Sequence, residues 1–166
     1  EQYKLLIGNS ISELILKKCL LIKQIIQRSR ASTSIKQLEL LGMTRAAMAL
    51  SNLKFGPEVG VKNESRWIID ADVIKVWNEI VSKMCNDLSI LQQIDNPNNG
   101  DSLLVDSRKN PDCVKEQSID FLFTSPPYPN EKDYTRITRL ELVLLDYLKN
   151  SKQLRELKKN LICSNT

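Results

Sequence analysis

The hydrophobic period of this 166-residue chain changes near residue 96, and with it the kind of structure the chain can build. Up to residue 92 apolar residues recur at steps of three and four, the spacing of a helix face. Beyond it they come in short continuous runs of strand length. Ile11, Ile15, Cys19, Ile22 and Ile26 form one stripe and predict a helix over residues 11–29, with Ser10-Ile11-Ser12-Glu13 in capping-box spacing. Arg28 and Arg30 stand at its C-terminal end, where cations are favoured. Ser34 can cap a second helix with Ile35, Leu38 and Leu41 on one face and Gly42 as its stop, and a third helical run covers residues 44–52. Residues 55–66 read as a loop or a short irregular hairpin. The clearest stripe is Val73, Val76, Trp77, Ile80, Val81, Met84, Leu88 and Leu91, capped by Asp70 or Asp72.

Asn96-Pro97-Asn98-Asn99-Gly100 closes the helical part. Residues 102–106 and 119–124 then read as strands, the second ending abruptly at Ser125-Pro126-Pro127, because prolines cannot continue a central strand. A helical period returns from about residue 133, with Ile137, Leu140, Leu144 and Leu148 on one face. A last helix, capped by Asn150 or Ser151, carries Leu154, Leu157 and Leu161. Strand, connection, strand and helix in that order predict parallel strands in an α/β sheet. The expected architecture is therefore helix-rich α/β: a helical subdomain or insertion over residues 1–95 and a partial α/β region over residues 96–166.

Composition narrows the chemistry. With no histidine, Ser-His-Asp and Cys-His nucleophile systems, HExxH zinc sites and histidine acid/base catalysis are excluded within this chain. Cys19, Cys85, Cys113 and Cys163 form no CxxC pair, so no metal site is expected, and reduced thiols in a cytoplasmic protein are the reading. No apolar run approaches the roughly 18 residues of a membrane helix. The net charge of +4 is a mild basic bias, compatible with nucleic acid and equally with solvated helix faces, as for Lys17, Lys18, Lys23, Arg28 and Arg30. The chain opens on Glu1, just ahead of the apolar stretch around Leu5 and Ile7, and reads as a piece of a longer protein.

In an open α/β sheet ligands bind beyond the carboxyl ends of the strands, which draws attention to Asp106-Ser107-Arg108 and to Thr124-Ser125-Pro126-Pro127-Tyr128-Pro129-Asn130. The plain alternative for the second is a proline-rich turn with Tyr128 packed on the rim. However, Ile119-Asp120-Phe121-Leu122-Phe123-Thr124-Ser125-Pro126-Pro127-Tyr128 resembles motif IV of the S-adenosylmethionine-dependent amino methyltransferases that modify DNA. Pro129-Asn130-Glu131-Lys132-Asp133-Tyr134 and Arg136-Ile137-Thr138-Arg139-Leu140-Glu141 resemble one branch of site-specific DNA methylases, and Asn52-Leu53-Lys54-Phe55-Gly56-Pro57-Glu58-Val59 is similar to a segment upstream of that motif. The resemblance covers roughly residues 50–148 and implies a partial Rossmann-like methyltransferase sheet.

The chemistry of the tetrapeptide fits that resemblance. An exocyclic amine is a poor nucleophile because its lone pair is delocalised into the ring. Two acceptors that hold its N–H groups out of the ring plane favour a tetrahedral nitrogen. Ser125 and the Pro126 carbonyl can supply that pair, Pro126 and Pro127 stiffen the backbone that presents it, and Tyr128 offers a ring for an extruded base. In the family, serine at this place leans toward cytosine N4 over adenine N6.

The resemblance further implies that Asp106 accepts from the adenine amine of S-adenosylmethionine, the cofactor of the intact enzyme; the alternative is a residue capping a turn. Arg136 and Arg139, three apart, can meet DNA phosphate, although Arg139 with Glu141 could serve local pairing, and Asp133 could simply cap the helix. One family element is missing: Gly8, Gly42, Gly56, Gly60 and Gly100 supply no F-x-G-x-G donor turn, so this piece alone is expected to be inactive and to bind donor weakly. Half a sheet with open edges also predicts self-association. RNA or a protein amide as the acceptor, and an inert helical interaction module, stay open as alternatives.

Overall fold

The computed structural model describes residues 2–56, 59–93, 100, 102–103, 105–106, 114–125 and 134–160. Three long helices carry the fold. Helix α1 (Glu13–Arg28) buries Ile15, Cys19, Ile22 and Ile26 along one face, the stripe its sequence lays out. It starts two residues later than the capping-box spacing suggests. Ser12 is the N-cap: its hydroxyl accepts from Ile15 N at 3.2 Å and donates to the Ile69 carbonyl at 2.6 Å. Ser10 is buried instead, and Glu13 pairs with Lys17 at 2.6 Å on the exposed side.

Helix α2 (Thr33–Ala49), capped by Ser32, runs unbroken through Gly42. The predicted stop at Gly42 and the separate run over 44–52 are thus one element. A Cβ on Gly42 would stand 2.6 Å from Val81 Cγ2 of helix α3 (Val73–Leu91), so the glycine marks a close helix crossing. Its helix-propensity cost of about 0.5–1 kcal/mol is offset by the contact it permits. Beside it Trp77 Nε1 donates to the Glu39 carbonyl at 3.1 Å. Asp72 caps α3 through Lys75 N at 3.0 Å. Along the α3 stripe Val73 is buried, Val76 to Met84 are half-buried, and Leu88 and Leu91 are exposed.

The connection between α2 and α3 is organised by Asn52, which is 2% exposed. Its N–H donates to Ser10 O at 2.7 Å and its Nδ2 to Asn9 O at 3.2 Å. Its Oδ1 accepts from Ile68 N and its carbonyl from Lys62 N, both at 2.8 Å. One asparagine therefore fixes three stretches of irregular backbone, which is how such backbone is buried without orphaned polar groups. Strands β1 (Leu53–Lys54) and β2 (Gly60–Val61) pair antiparallel, Leu53 opposite Val61 and Lys54 opposite Gly60.

The predicted helix from residue 133 is split into α4 (Tyr134–Ile137) and α5 (Arg139–Leu144). Leu140 and Leu144 enter the same core as Ile15, Ile22, Met43 and Ala47. The chain turns at Asp146, whose φ of 64° is left-handed, and Leu148 N reaches back to Leu142 O at 3.0 Å. Helix α6 (Ser151–Asn160) follows, with Asn150 Oδ1 accepting from Gln153 N at 2.9 Å.

The α/β expectation is corrected. Helices hold 59% of the described residues, and the only sheet among them is the two-residue pair β1–β2, so no Rossmann-like sheet is present there. Ser102, Leu103, Val105 and Asp106 lie outside any strand, as do residues 119–125. Phe121, Leu122 and Phe123 are 81%, 78% and 86% exposed. A strand exists only through a neighbour that takes its N–H and C=O groups. An apolar run of the right length supplies none.

Candidate functional site

Ser125 is exposed, in irregular backbone directly after the exposed run 119–124. Pro126, Pro127 and Tyr128 lie outside the described residues, as does Asp133.

Asp106 is half-buried and also lies in irregular backbone. Gly8, Gly60 and Gly100 have open space where a Cβ would stand, and Gly42 is closed against Val81 inside a helix pair. None of these four glycines forms a cradle that a Cβ would close.

The two arginines differ. Arg136, on α4, is exposed. Arg139, the first residue of α5, is half-buried and donates from Nη2 to Thr135 Oγ1 at 3.0 Å, which braces α5 against α4. Nearby, Glu141 is half-buried with one carboxylate oxygen lacking a hydrogen-bond partner among the described residues. Burial pushes its carboxyl above the usual range, against the weaker pull of Arg45.

No family model, no curated protein and no solved structure matches this chain. The assignment of chemistry therefore rests on the residues themselves.

Elsewhere the described residues hold no group of three metal-ligating side chains, and none of their helices is long and apolar enough to cross a membrane. Burial raises the Cys19 thiol to about 11, which makes it an inert core residue, whereas Cys85 is exposed. An apolar groove of about 640 Å³ runs between α1 and the start of α3, floored by Ile22 and Val73 and flanked by Leu21, Ile25 and Ile74.

Several of the basic residues are engaged within the protein. On α1, Lys17 pairs with Glu13, Lys18 with Asp70, and Lys23 with Asp146. Lys36 donates to Gln27 O at 3.1 Å and Lys62 to Ser51 O at 2.9 Å. On α6, Lys152, Arg155 and Lys159 are exposed and make no ion pair among the described residues. Sequence reasoning did not single them out. Their i, i+3, i+7 spacing opposite Leu154 and Leu157 was the signal available.

Proposed function

We propose that the chain is the base-handling part of a site-specific DNA amino-methyltransferase, with cytosine N4 favoured over adenine N6 as the target. The observation that carries this reading is the exposed Ser125 that opens Ser125-Pro126-Pro127-Tyr128, after an apolar run and before a helix. In this role Ser125 and the Pro126 carbonyl accept from the two N–H groups of the amine, and Tyr128 stacks on the extruded base. Arg136, exposed on α4, contacts the DNA backbone. The chain's own contribution is to seize and orient the base.

The test uses the full-length protein that carries this chain. Incubated with duplex DNA and S-adenosylmethionine labelled at the methyl group, it should label DNA, and nucleoside analysis should give N4-methylcytosine. Label appearing only in RNA or in protein would move the acceptor to those polymers, and no label at all would sink the enzymatic reading. A second reading, an inert helical interaction module, draws its support from the apolar groove between α1 and α3. It predicts no methyl transfer under any of these conditions.

A further inference from the structure

We infer that the outer face of α6 is a second contact to DNA, in which Lys152, Arg155 and Lys159 lie along the phosphates of one strand. Three observations carry the inference. The first is geometric. Residues at i, i+3 and i+7 share one side of a helix, and seven residues at 1.5 Å each span about 10 Å. That span is short enough for the three long, flexible side chains to reach neighbouring phosphates of one strand.

The second observation is where the apolar residues of the helix go. Leu154 and Leu157 lie on the opposite side and are half-buried, while Lys152, Arg155 and Lys159 are exposed. A membrane-surface helix needs a broad apolar face free to enter lipid. Here the short apolar face is already partly covered, and what the helix offers outward is charge. The partner is a polyanion in water.

The third is contrast with the lysines of α1. The lysines of α1 are each matched to a carboxylate of this protein, and the stripe on α6 is not. The helix is also firmly started: Asn150 accepts from Gln153 N, and Gln153 Oε1 accepts from Lys149 N at 2.8 Å. Reciprocal capping of this kind holds the three cations on a formed helix before any ligand arrives, so less ordering entropy opposes binding.

The inference rests on the reading of the partner as DNA, but its test contains no methyl donor and is separate from the catalytic one. A fluorescent duplex of random sequence is titrated with the 166-residue chain at several salt concentrations. The comparison is with the triple variant Lys152→Gln, Arg155→Gln, Lys159→Gln, in which glutamine keeps the helix propensity. Three lost phosphate contacts should flatten the slope of log affinity against log salt by about 2–3 and weaken binding at 0.1 M salt by roughly a hundredfold. A control pair, Lys17→Gln with Lys36→Gln, removes cations already engaged within the protein and should leave the slope unchanged. Circular dichroism checks that all variants stay folded.

Failure of the wild-type chain to bind duplex, or an unchanged slope in the triple variant, would overturn the inference. So would tight, stripe-dependent binding to phosphatidylserine vesicles or to single-stranded RNA in place of duplex. A chain that binds DNA through α6 in a protein that never methylates keeps this inference and loses the catalytic reading. Methylation by a protein whose DNA affinity ignores the stripe does the reverse.

Discussion

Lys23 Nζ lies 2.7 Å from Asp146 Oδ2, joining α1 to the turn that follows α5. The lysine side chain is 8% exposed and the carboxylate 40%. The other oxygen of Asp146 accepts from Gln2 Nε2 at 3.0 Å, and the same amide donates to Val143 O at 2.8 Å. One carboxylate thus ties the first turn, α1 and α5 together, and it does so from a left-handed backbone position. The buried ammonium has no water to fall back on if that carboxylate is removed.

Asp146→Asn should therefore destabilise the chain by about 1–3 kcal/mol, below the range for a fully buried pair because the carboxylate is partly solvated. Asparagine tolerates the positive φ, so this variant isolates the lost charge. Asp146→Ala should cost about 1 kcal/mol more, through backbone strain. Adding Lys23→Met to Asp146→Asn should restore most of the loss, since methionine refills the volume without a charge. Urea unfolding of the four proteins decides the matter, and equal midpoints throughout would show that the pair is decorative.

The acid side of the stability profile contains two opposed groups, Glu141 and Asp146, five residues apart. Burial alone would raise the Asp146 carboxyl, but hydrogen bonds from Lys23 and Gln2 and the nearby positive charges outweigh it and hold it below the ordinary value. Its stabilisation is present above the unfolded pKa and is lost as pH falls through the lower folded one. Glu141 runs the other way: burial raises its carboxyl, so the native state favours the neutral form, and that preference is lost as pH rises through the folded pKa. Glu141→Gln should raise Tm more at neutral pH than at acid pH, where the carboxyl is neutral in both the folded and the unfolded chain. A Tm gain that is the same at pH 7 and at pH 3.5 would mean the effect is packing and not charge.

Gly42→Ala is expected to destabilise, against the usual sign for a helix interior. Alanine gains up to about 1 kcal/mol of helix propensity. Its Cβ would stand 2.6 Å from Val81 Cγ2, and a β-branched side chain inside a helix has almost no alternative rotamer to move into. Overpacking of this kind costs about 1–3 kcal/mol, so the clash wins. Val81→Ala in the same chain should return the variant to, or above, the stability of Val81→Ala alone. A Tm rise for the single Gly42→Ala would show that α2 and α3 can separate at no cost.

That glycine also shows how far the sequence could be read. Local period was enough to find α1 and α3, and Asp72 was one of two caps it offered. A glycine that ends a helix and a glycine that admits a neighbouring helix look alike in one dimension; the difference lies in Val81, thirty-nine residues away. The strands failed for a related reason. The run 119–124 has the length and composition of a strand, but pairing is a property of two segments, and among the described residues no second segment meets it. Asn52 was legible only as part of a resemblance, because its four hydrogen bonds reach segments that period cannot place. At the candidate site, Ser125 is exposed in irregular backbone, whereas Arg139 is half-buried against Thr135, a contact between α4 and α5 that residue type and spacing do not reveal.

The tetrapeptide reading makes the sharpest claim, and it is tested in the full-length protein. Ser125→Ala removes one of two acceptors for the amine. An acceptor that matters most as the nitrogen becomes tetrahedral acts in the transition state, so turnover should fall far more than DNA affinity. Tyr128→Ala should weaken capture of the flipped base by about 1–3 kcal/mol, the size of a lost base–aromatic stack. Tyr128→Phe should keep most activity, because stacking needs the ring and not the hydroxyl. These outcomes are read from single-turnover rates and DNA affinities measured side by side. If Tyr128→Phe is dead while Tyr128→Ala is normal, stacking is the wrong role for that ring. If Ser125→Ala methylates at the wild-type rate, the segment is a turn, and the base is held elsewhere.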